Sequence, residues 1–347
     1  MKNINIKYKP RLIAIELTSN CNLKCKHCRM TQKNDYENSE LTKNEIIKLF
    51  DELCIFGSPI VILSGGEPLL KSFIFDIIKY GISIGLNVVL ATNGTLINKE
   101  IARKLKSSGI KRVSISIDGT KELHNEFRCI DNCFERAIEG INYLKEENIE
   151  FQINTTISKH NFKYLDEIYR FSCNIGAVAL HFFFLVPTGR GNNISHYELS
   201  PEEYEDTLRW IYHKSKENYI YIHPTCAPQY SRIKYILDKK DTLLIKKNNI
   251  FNRYTKGCLG GSSFVFISCI GDVNPCGYLP VSAGNIRTNS FIDIWNNSKL
   301  FKELRDSSNL KGKCGSCRYK NICGGCRARA YSINGDYLSE EPFCIYK

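Results

Sequence analysis

The sequence predicts an α/β protein: a parallel sheet of six strands alternating with helices, followed by a small cysteine-rich α+β unit with a β-hairpin. Three observations lead there. From Leu12 to Leu185, strand-length apolar runs alternate with helix-length amphipathic runs, the rhythm of a parallel sheet. Residues with binding chemistry gather where those strands end, the face on which parallel α/β barrels build their sites. Of 16 cysteines, eight lie beyond residue 257.

The first strand, Leu12 to Leu17, runs into Cys21-Asn22-Leu23-Lys24-Cys25-Lys26-His27-Cys28, three thiols within eight residues. Thiolates are soft ligands suited to iron–sulfur clusters and zinc. Structural zinc takes four ligands and this loop offers three, so a zinc reading needs a distant fourth. Three cysteines leave a [4Fe–4S] cube with one open iron. After a polar connection, Thr31 to Ser39, comes a helix, Leu41 to Phe56, whose Thr42 and Glu45 form a capping-box pattern. Strand Pro59 to Leu63 ends in Ser64-Gly65-Gly66-Glu67-Pro68. The glycines permit close backbone approach, and the carboxylate is suited to pairing with an ammonium group.

The alternation continues. Helix Ser72 to Ile84 leads to strand Asn87 to Ala91 and Thr92-Asn93-Gly94. Helix Asn98 to Ser108 leads to strand Arg112 to Ile117 and Asp118-Gly119. Helix Cys133 to Glu147 leads to strand Glu150 to Ile157, and helix Phe162 to Cys173 to strand Val178 to Leu185. Arg190, in the loop that follows, is either a carboxylate grip or a structural turn residue. A helix from about Pro201 to Lys216 is capped by Ser200. Ile222 to Tyr230 then reads as an ordered loop, because prolines flank Cys226. That cysteine is a cluster ligand, an active-site thiol or a packed small residue. The stretch Lys239 to Lys247 reads as a solvated helix end or loop.

Lys and Arg exceed Asp and Glu by 12. No basic run reaches five residues and no RNA-binding motif with interleaved aromatics occurs, which argues against nucleic acid and leaves an acidic substrate or bound anionic clusters. No apolar run reaches the ~18 residues of a membrane span. The N-terminal stretch lacks an apolar signal core, so the expected location is the cytoplasm. There, 16 cysteines argue for metal rather than disulfides.

In the last third, short apolar runs Phe264 to Ile267 and Asp272 to Asn274 flank Gly271 as a hairpin. Around it lie Cys258, Cys269 and Cys276, then Cys314, Cys317, Cys323, Cys326 and finally Cys344. Cysteine pairs two residues apart also suit a zinc ribbon. Cys54, Cys129, Cys133 and Cys173 fall on helices and loops and read as structural.

The Cys21/Cys25/Cys28 spacing, Gly65-Gly66-Glu67-Pro68, Thr92-Asn93-Gly94 and Ser116-Ile117-Asp118-Gly119 together resemble the radical S-adenosylmethionine superfamily. The resemblance implies a partial (β/α)6 TIM-like barrel whose three cysteines bind a [4Fe–4S] cluster. S-adenosylmethionine would chelate the open iron, be cleaved reductively and give a 5′-deoxyadenosyl radical that abstracts hydrogen. By the same resemblance, Gly66 and Glu67 contact the methionine amino group, and Ser116 and Asp118 the ribose or methionine. Thr155, Thr156 and Asn161 supply further contacts. His27 departs from the aromatic residue common before the third cysteine.

The distal cysteines resemble the SPASM auxiliary-cluster domain, with the interval Cys323 to Cys326 one residue shorter than its commonest form. The resemblance implies two auxiliary [4Fe–4S] clusters. One is held by Cys258, Cys276 and Cys326, its fourth ligand being Cys226, Cys269, substrate or water. The other is held by Cys314, Cys317, Cys323 and Cys344. The implied division is a barrel over 1–222, a bridging segment 223–256 and the auxiliary domain 257–347.

Pro187-Thr188-Gly189-Arg190-Gly191, the Cys226 loop, Pro275-Cys276-Gly277-Tyr278 and Cys323-Gly324-Gly325-Cys326-Arg327 resemble the haem and haem d1 subgroup. This implies a tetrapyrrole whose acetate or propionate side chains are modified. The alternative is a ribosomally made peptide undergoing maturation. The basic balance suits the many carboxylates of a tetrapyrrole, and the position of Cys21 leaves no room for an N-terminal peptide-recognition domain. A flavodoxin- or ferredoxin-type protein would supply the electron. A non-catalytic electron carrier is the other class, and the Gly65-Gly66-Glu67-Pro68 turn argues against it.

Overall fold

The computed structural model describes residues 8–30, 39–242 and 256–346. The polar connection at 31–38 and the charged stretch beyond Thr242 lie outside the described residues. All six expected strands form: β1 (Leu12–Glu16), β2 (Ile60–Ser64), β3 (Asn87–Thr92), β4 (Arg112–Ser116), β5 (Glu150–Ile157) and β6 (Ala179–Phe184). Between them run α1 (Lys43–Leu53), α2 (Ile74–Ser83), α3 (Lys99–Ser107), α4 (Lys121–Arg128), α5 (Cys133–Glu146) and α6 (Leu165–Asn174). Thr42 and Glu45 cap α1 reciprocally, as their spacing predicts. The short helix α4 has no counterpart in the sequence reading, and it carries a residue that matters below.

The sheet is longer than expected at both ends. Its order is β7-β6-β5-β4-β3-β2-β1-β8-β9. The segment read as a loop is a seventh parallel strand, β7 (Tyr221–Thr225), paired with β6 and crossing the expected 222/223 boundary. Pro224 disguised it. Proline is tolerated there because β7 is the terminal strand and one of its edges needs no donor. It is preceded by α7 (Pro201–Glu217, with Ser200 as its capping residue) and followed by α8 (Gln229–Thr242). At the other end, β8 (Phe264–Ile267) and β9 (Val273–Asn274) make the expected antiparallel hairpin. β8 also pairs in parallel with β1, so the cysteine-rich part continues the barrel sheet. Four short helices follow: α9 (Phe291–Asn297), α10 (Lys299–Arg305), α11 (Gly312–Ser316) and α12 (Arg327–Asn334).

Strands β1 to β7 are spatial neighbours in sequence order. Right-handed crossovers therefore place their helices on one face. Burial alternates accordingly. On β5, Phe151, Ile153, Thr155 and Ile157 are buried toward the helices, while Gln152, Asn154 and Thr156 face the open side. Among the described residues no helix is long and apolar enough to cross a membrane.

Candidate active site

The first cysteine loop is held from several sides. The turn after β2 docks on it from below: Gly66 N–H donates to Thr18 O (2.7 Å) and Glu67 N–H to Asn20 O (2.8 Å). A Cβ on Gly66 would overlap the Asn20 carbonyl, and one on Gly65 would lie 2.8 Å from Thr18 O. The glycines thus serve approach of one backbone to another. Asn22 is tied to Thr95 (2.8 Å) and to Asn93 (2.9 Å). Arg190 donates from Nε to Cys25 O (3.0 Å), which braces the loop.

Glu67 is fully buried. Its carboxylate accepts from Thr92 Oγ1 (2.7 Å), Asn93 N–H (2.9 Å) and Leu69 N–H (3.1 Å). Burial raises its pKa, against the pull of those donors. The side chain fixes the Thr92-Asn93 turn beside Cys21. Asp118 is also fully buried. It accepts from Arg128 Nε (2.7 Å) and Thr156 N–H (2.8 Å). Burial opposes its ionisation, but Arg128, His27 and His124 outweigh this and hold its pKa at about 2. Ser116 Oγ lies 3.5 Å from Thr92 O, on the open side of β4. Thr155 turns into the helix layer and donates to Ile117 O (2.6 Å). Asn161, fully buried, braces Asp118 O (2.7 Å) and Thr156 O (2.8 Å). These last two side chains shape the turn from behind it, which their sequence positions did not reveal.

Arg128 is the residue the sequence reading missed. Besides the Asp118 ion pair, it donates from Nη1 to Cys25 Sγ (3.6 Å). The signal was its position at the end of a short helix between Asp118 and Cys133, and Cys133 packs against Cys25. His27 stacks on Phe127 with ring centroids 4.1 Å apart, so its aromatic function in the loop is kept.

The distal thiols form two groups. Cys314, Cys317, Cys323 and Cys344 line one pocket, together with Gln229 and Arg232. Buried Gln229 Nε2 and Arg232 Nε have no hydrogen-bond partner there. The second group is Cys276 and Cys326 with Cys226, packed around Val186, Leu279 and Ala328. Glu341, fully buried, joins the groups: it accepts from Cys326 N–H (2.6 Å), and its own N–H donates to Cys314 Sγ (3.2 Å). Cys269 belongs to neither group. It is buried, and its N–H reaches Glu16 Oε2 (3.4 Å).

These donor sets fit iron–sulfur clusters. All 16 thiols are free. Burial pushes Cys21 up to about 11, Cys276 to about 12 and Cys326 to about 11, with neighbouring thiolates adding to the shift. Bound iron supplies the positive charge that makes such thiols ionise. Orphaned donors at Gln229 and Arg232 suit cluster sulfurs, and Arg128 supplies a cation beside Cys25.

Residues 15–172 match the model of the radical SAM superfamily, and residues 258–326 that of the SPASM iron-sulfur cluster-binding domain. The chain is a radical SAM enzyme of the SPASM class. It is 51% identical to an AdoMet-dependent heme synthase of Methanosarcina barkeri, over 97% of each chain. It is 42% identical to the enzyme of the same description from Oleidesulfovibrio alaskensis, over 97% of this chain and 87% of that one. Among solved structures, Streptococcus suis SuiB bound to S-adenosylmethionine shares the fold, with a TM-score of 0.75 at 16% identity over 98% of this chain and 76% of that one. A radical SAM/SPASM enzyme carries a [4Fe–4S] cluster with S-adenosylmethionine and auxiliary clusters in its SPASM domain.

Proposed function

We propose that the substrate is an iron tetrapyrrole and that the reaction converts its propionate side chains to vinyl groups. The observation that carries this reading is the 51% identity to a heme synthase across both chains. When bound, the first cluster and S-adenosylmethionine supply a 5′-deoxyadenosyl radical. Each conversion would pass one hydrogen atom from a propionate to that radical and one electron to an external one-electron acceptor, and would release carbon dioxide, leaving a carbon–carbon double bond.

This chain's own residues have the following tasks. Cys21, Cys25 and Cys28 hold the first cluster. The main chain at Gly65, Gly66 and Glu67 forms the floor against which the methionine group rests. Thr92 and Asn93, pinned by Glu67, close one side of that floor. Ser116 and Thr156 face the open side beside Asp118, which keeps Arg128 charged and in place. Cys314, Cys317, Cys323 and Cys344 hold one auxiliary cluster, and Cys258, Cys276 and Cys326 the other.

The substrate is proposed to lie on the concave face of the sheet. One level there carries Ser116, Asn154, His181 and His223 in adjacent strands. Gln152 reaches Asn154 (2.9 Å), and the two imidazoles lie 5.5 Å apart. Such a surface offers hydrogen bonds to substrate carboxylates. The electron comes from a flavodoxin- or ferredoxin-type protein of the cytoplasm.

The test is anaerobic turnover of the reconstituted enzyme with iron coproporphyrin III, S-adenosylmethionine and a strong reductant. Chromatography should find haem and 5′-deoxyadenosine rising together. 5′-Deoxyadenosine without any change in the tetrapyrrole, but with a modified cysteine-containing peptide, would replace this reading with peptide maturation.

A further inference from the structure

We propose that Cys226 is the fourth ligand of the auxiliary cluster held by Cys258, Cys276 and Cys326, so that this cluster is fully ligated by protein. The proposal rests on the SPASM assignment of those three thiols. It replaces the alternatives of Cys269, substrate or water.

The first argument is placement. Cys226 follows β7 directly, where the seventh strand delivers it to the mouth of the barrel. It packs with Cys276 against the Val186, Leu279, Cys326 and Ala328 cluster. Cys258 is near enough for its charge to be felt at Cys226, Cys276 and Cys326 alike. Cys226, Cys276 and Cys326 share one packed cluster, and the Cys258 segment runs beside the Cys226 loop, since a Cβ on Gly257 would lie 2.6 Å from Pro228 O. Cys269 sits instead on the hairpin against Glu16, and nothing brings it toward this group.

The second argument is backbone strain. Cys226 has φ +61°, the left-handed region that a side chain other than Gly, Asn or Asp rarely adopts. Such a conformation costs on the order of 1–3 kcal/mol and persists where surrounding contacts enforce it. Here they do. The Cys226 carbonyl accepts from Tyr204 Oη (3.1 Å) and Arg329 Nη1 (3.4 Å). Arg329 is itself anchored to Leu185 O (3.0 Å) and lies 3.5 Å from Glu341. Pro224 and Pro228 stiffen the approach on either side. A packed small residue needs none of this apparatus, and at this φ a glycine would serve better. The strain is accounted for if the thiol has to be aimed.

The third argument is charge. Arg329 is fully buried, and its Nε makes no hydrogen bond. Its charge is shared with Glu341 (3.5 Å) and Glu198 (3.7 Å) in a buried network beside Cys226 and Cys326. A cluster with four thiolates carries more negative charge than one with three, and a buried guanidinium offsets it.

Cys226→Gly tests this without backbone cost, since glycine is at ease at φ +61°. Cys226→Ala and Cys269→Ala accompany it. Each full-length protein is reconstituted anaerobically and assayed for iron, sulfide, circular dichroism and the EPR of the reduced auxiliary clusters, with S-adenosylmethionine added to mark the first cluster. The parent's iron content, about twelve per chain for three cubes, checks the SPASM reading independently. Expected for both Cys226 variants is native circular dichroism with either about four irons lost or one auxiliary signal shifted in its g-values. Cys269→Ala should leave iron and spectrum at parental values. Cys226→Gly with parental iron and an unchanged auxiliary spectrum would overturn the proposal. So would a changed cluster in Cys269→Ala alone.

Discussion

Arg128 is the most informative side chain to remove. Arg128→Met deletes the 2.7 Å contact to Asp118 and the 3.6 Å contact to Cys25 Sγ, and leaves a fully buried carboxylate unpaired. Breaking a buried pair in this way costs about 3–5 kcal/mol. The loss depends on pH in a defined direction. With Arg128 present, Asp118 ionises at about 2, below the usual carboxylate range. Without it, burial dominates and the carboxyl prefers its proton. The variant's deficit should therefore be largest above neutrality and shrink as pH falls. Adding Asp118→Asn should restore part of the loss, so the double-mutant cycle is non-additive. A second readout concerns the first cluster. A cation and a hydrogen bond at a ligating sulfur favour the reduced, more negative state, so Arg128→Met should lower the reduction potential. Urea unfolding at several pH values and an EPR-monitored redox titration measure both. An additive cycle, a loss under ~1 kcal/mol or an unchanged potential would refute the reasoning.

Three further outcomes are expected. Gly66→Ala forces a Cβ into the Asn20 carbonyl and should lower stability by about 1–3 kcal/mol, with a weaker S-adenosylmethionine affinity in anaerobic calorimetry. His181 is held neutral, its pKa lowered to about 3 by burial first and by His223 and Arg112 next. Its contribution to stability is whole above about 6.5 and is lost as pH falls toward 3, so this group should lower the unfolding free energy from urea titrations by up to ~1.4 kcal/mol per pH unit, and His181→Gln should reduce that slope. Trp295→Ala empties a fully buried site whose indole N–H donates to Tyr8 O (2.8 Å), and should cost about 3–5 kcal/mol by thermal unfolding.

The barrel was legible because strand-length apolar runs alternate with helix-length amphipathic runs, and because the chemistry-bearing residues follow the strands in sequence. Cys21, Cys25, Cys28, Gly66 and Glu67 are local in the chain and were read locally. The missed parts are those made by distant contacts. Pro224 hid β7, since proline argues against a strand unless the strand is terminal, and only the three-dimensional order reveals that. Arg128, Arg329 and Glu341 look like ordinary surface residues in the sequence. Folding buries all three beside thiols supplied by other segments. Thr155 and Asn161 lie beside the right turn, but strand parity sends one inward, and a tight loop consumes the other.

The parallel pairing of β8 with β1 changes what the cysteine-rich part is. An appended domain would leave β1 as an open edge, with its N–H and C=O groups available to any strand. Here that edge is closed by the first strand after Cys258, and the closure is reinforced nearby. Arg29 donates to Glu16 at the end of β1 (2.8 Å) and lies over Phe266 of β8 at 4.5 Å. Phe291 of α9 meets Phe56 edge to face at 5.8 Å, and Arg287 pairs with Glu45 of α1. The same strand therefore carries, at one end, the turn into Cys21, and along its length the neighbour that leads to Cys276. Rigid sheet pairing fixes the spacing between the first cysteine loop and the auxiliary thiols in a way that a flexible linker cannot. It also means that a chain ending before Cys258 loses a strand of its own barrel, so the two cofactor-binding parts should fold together or not at all.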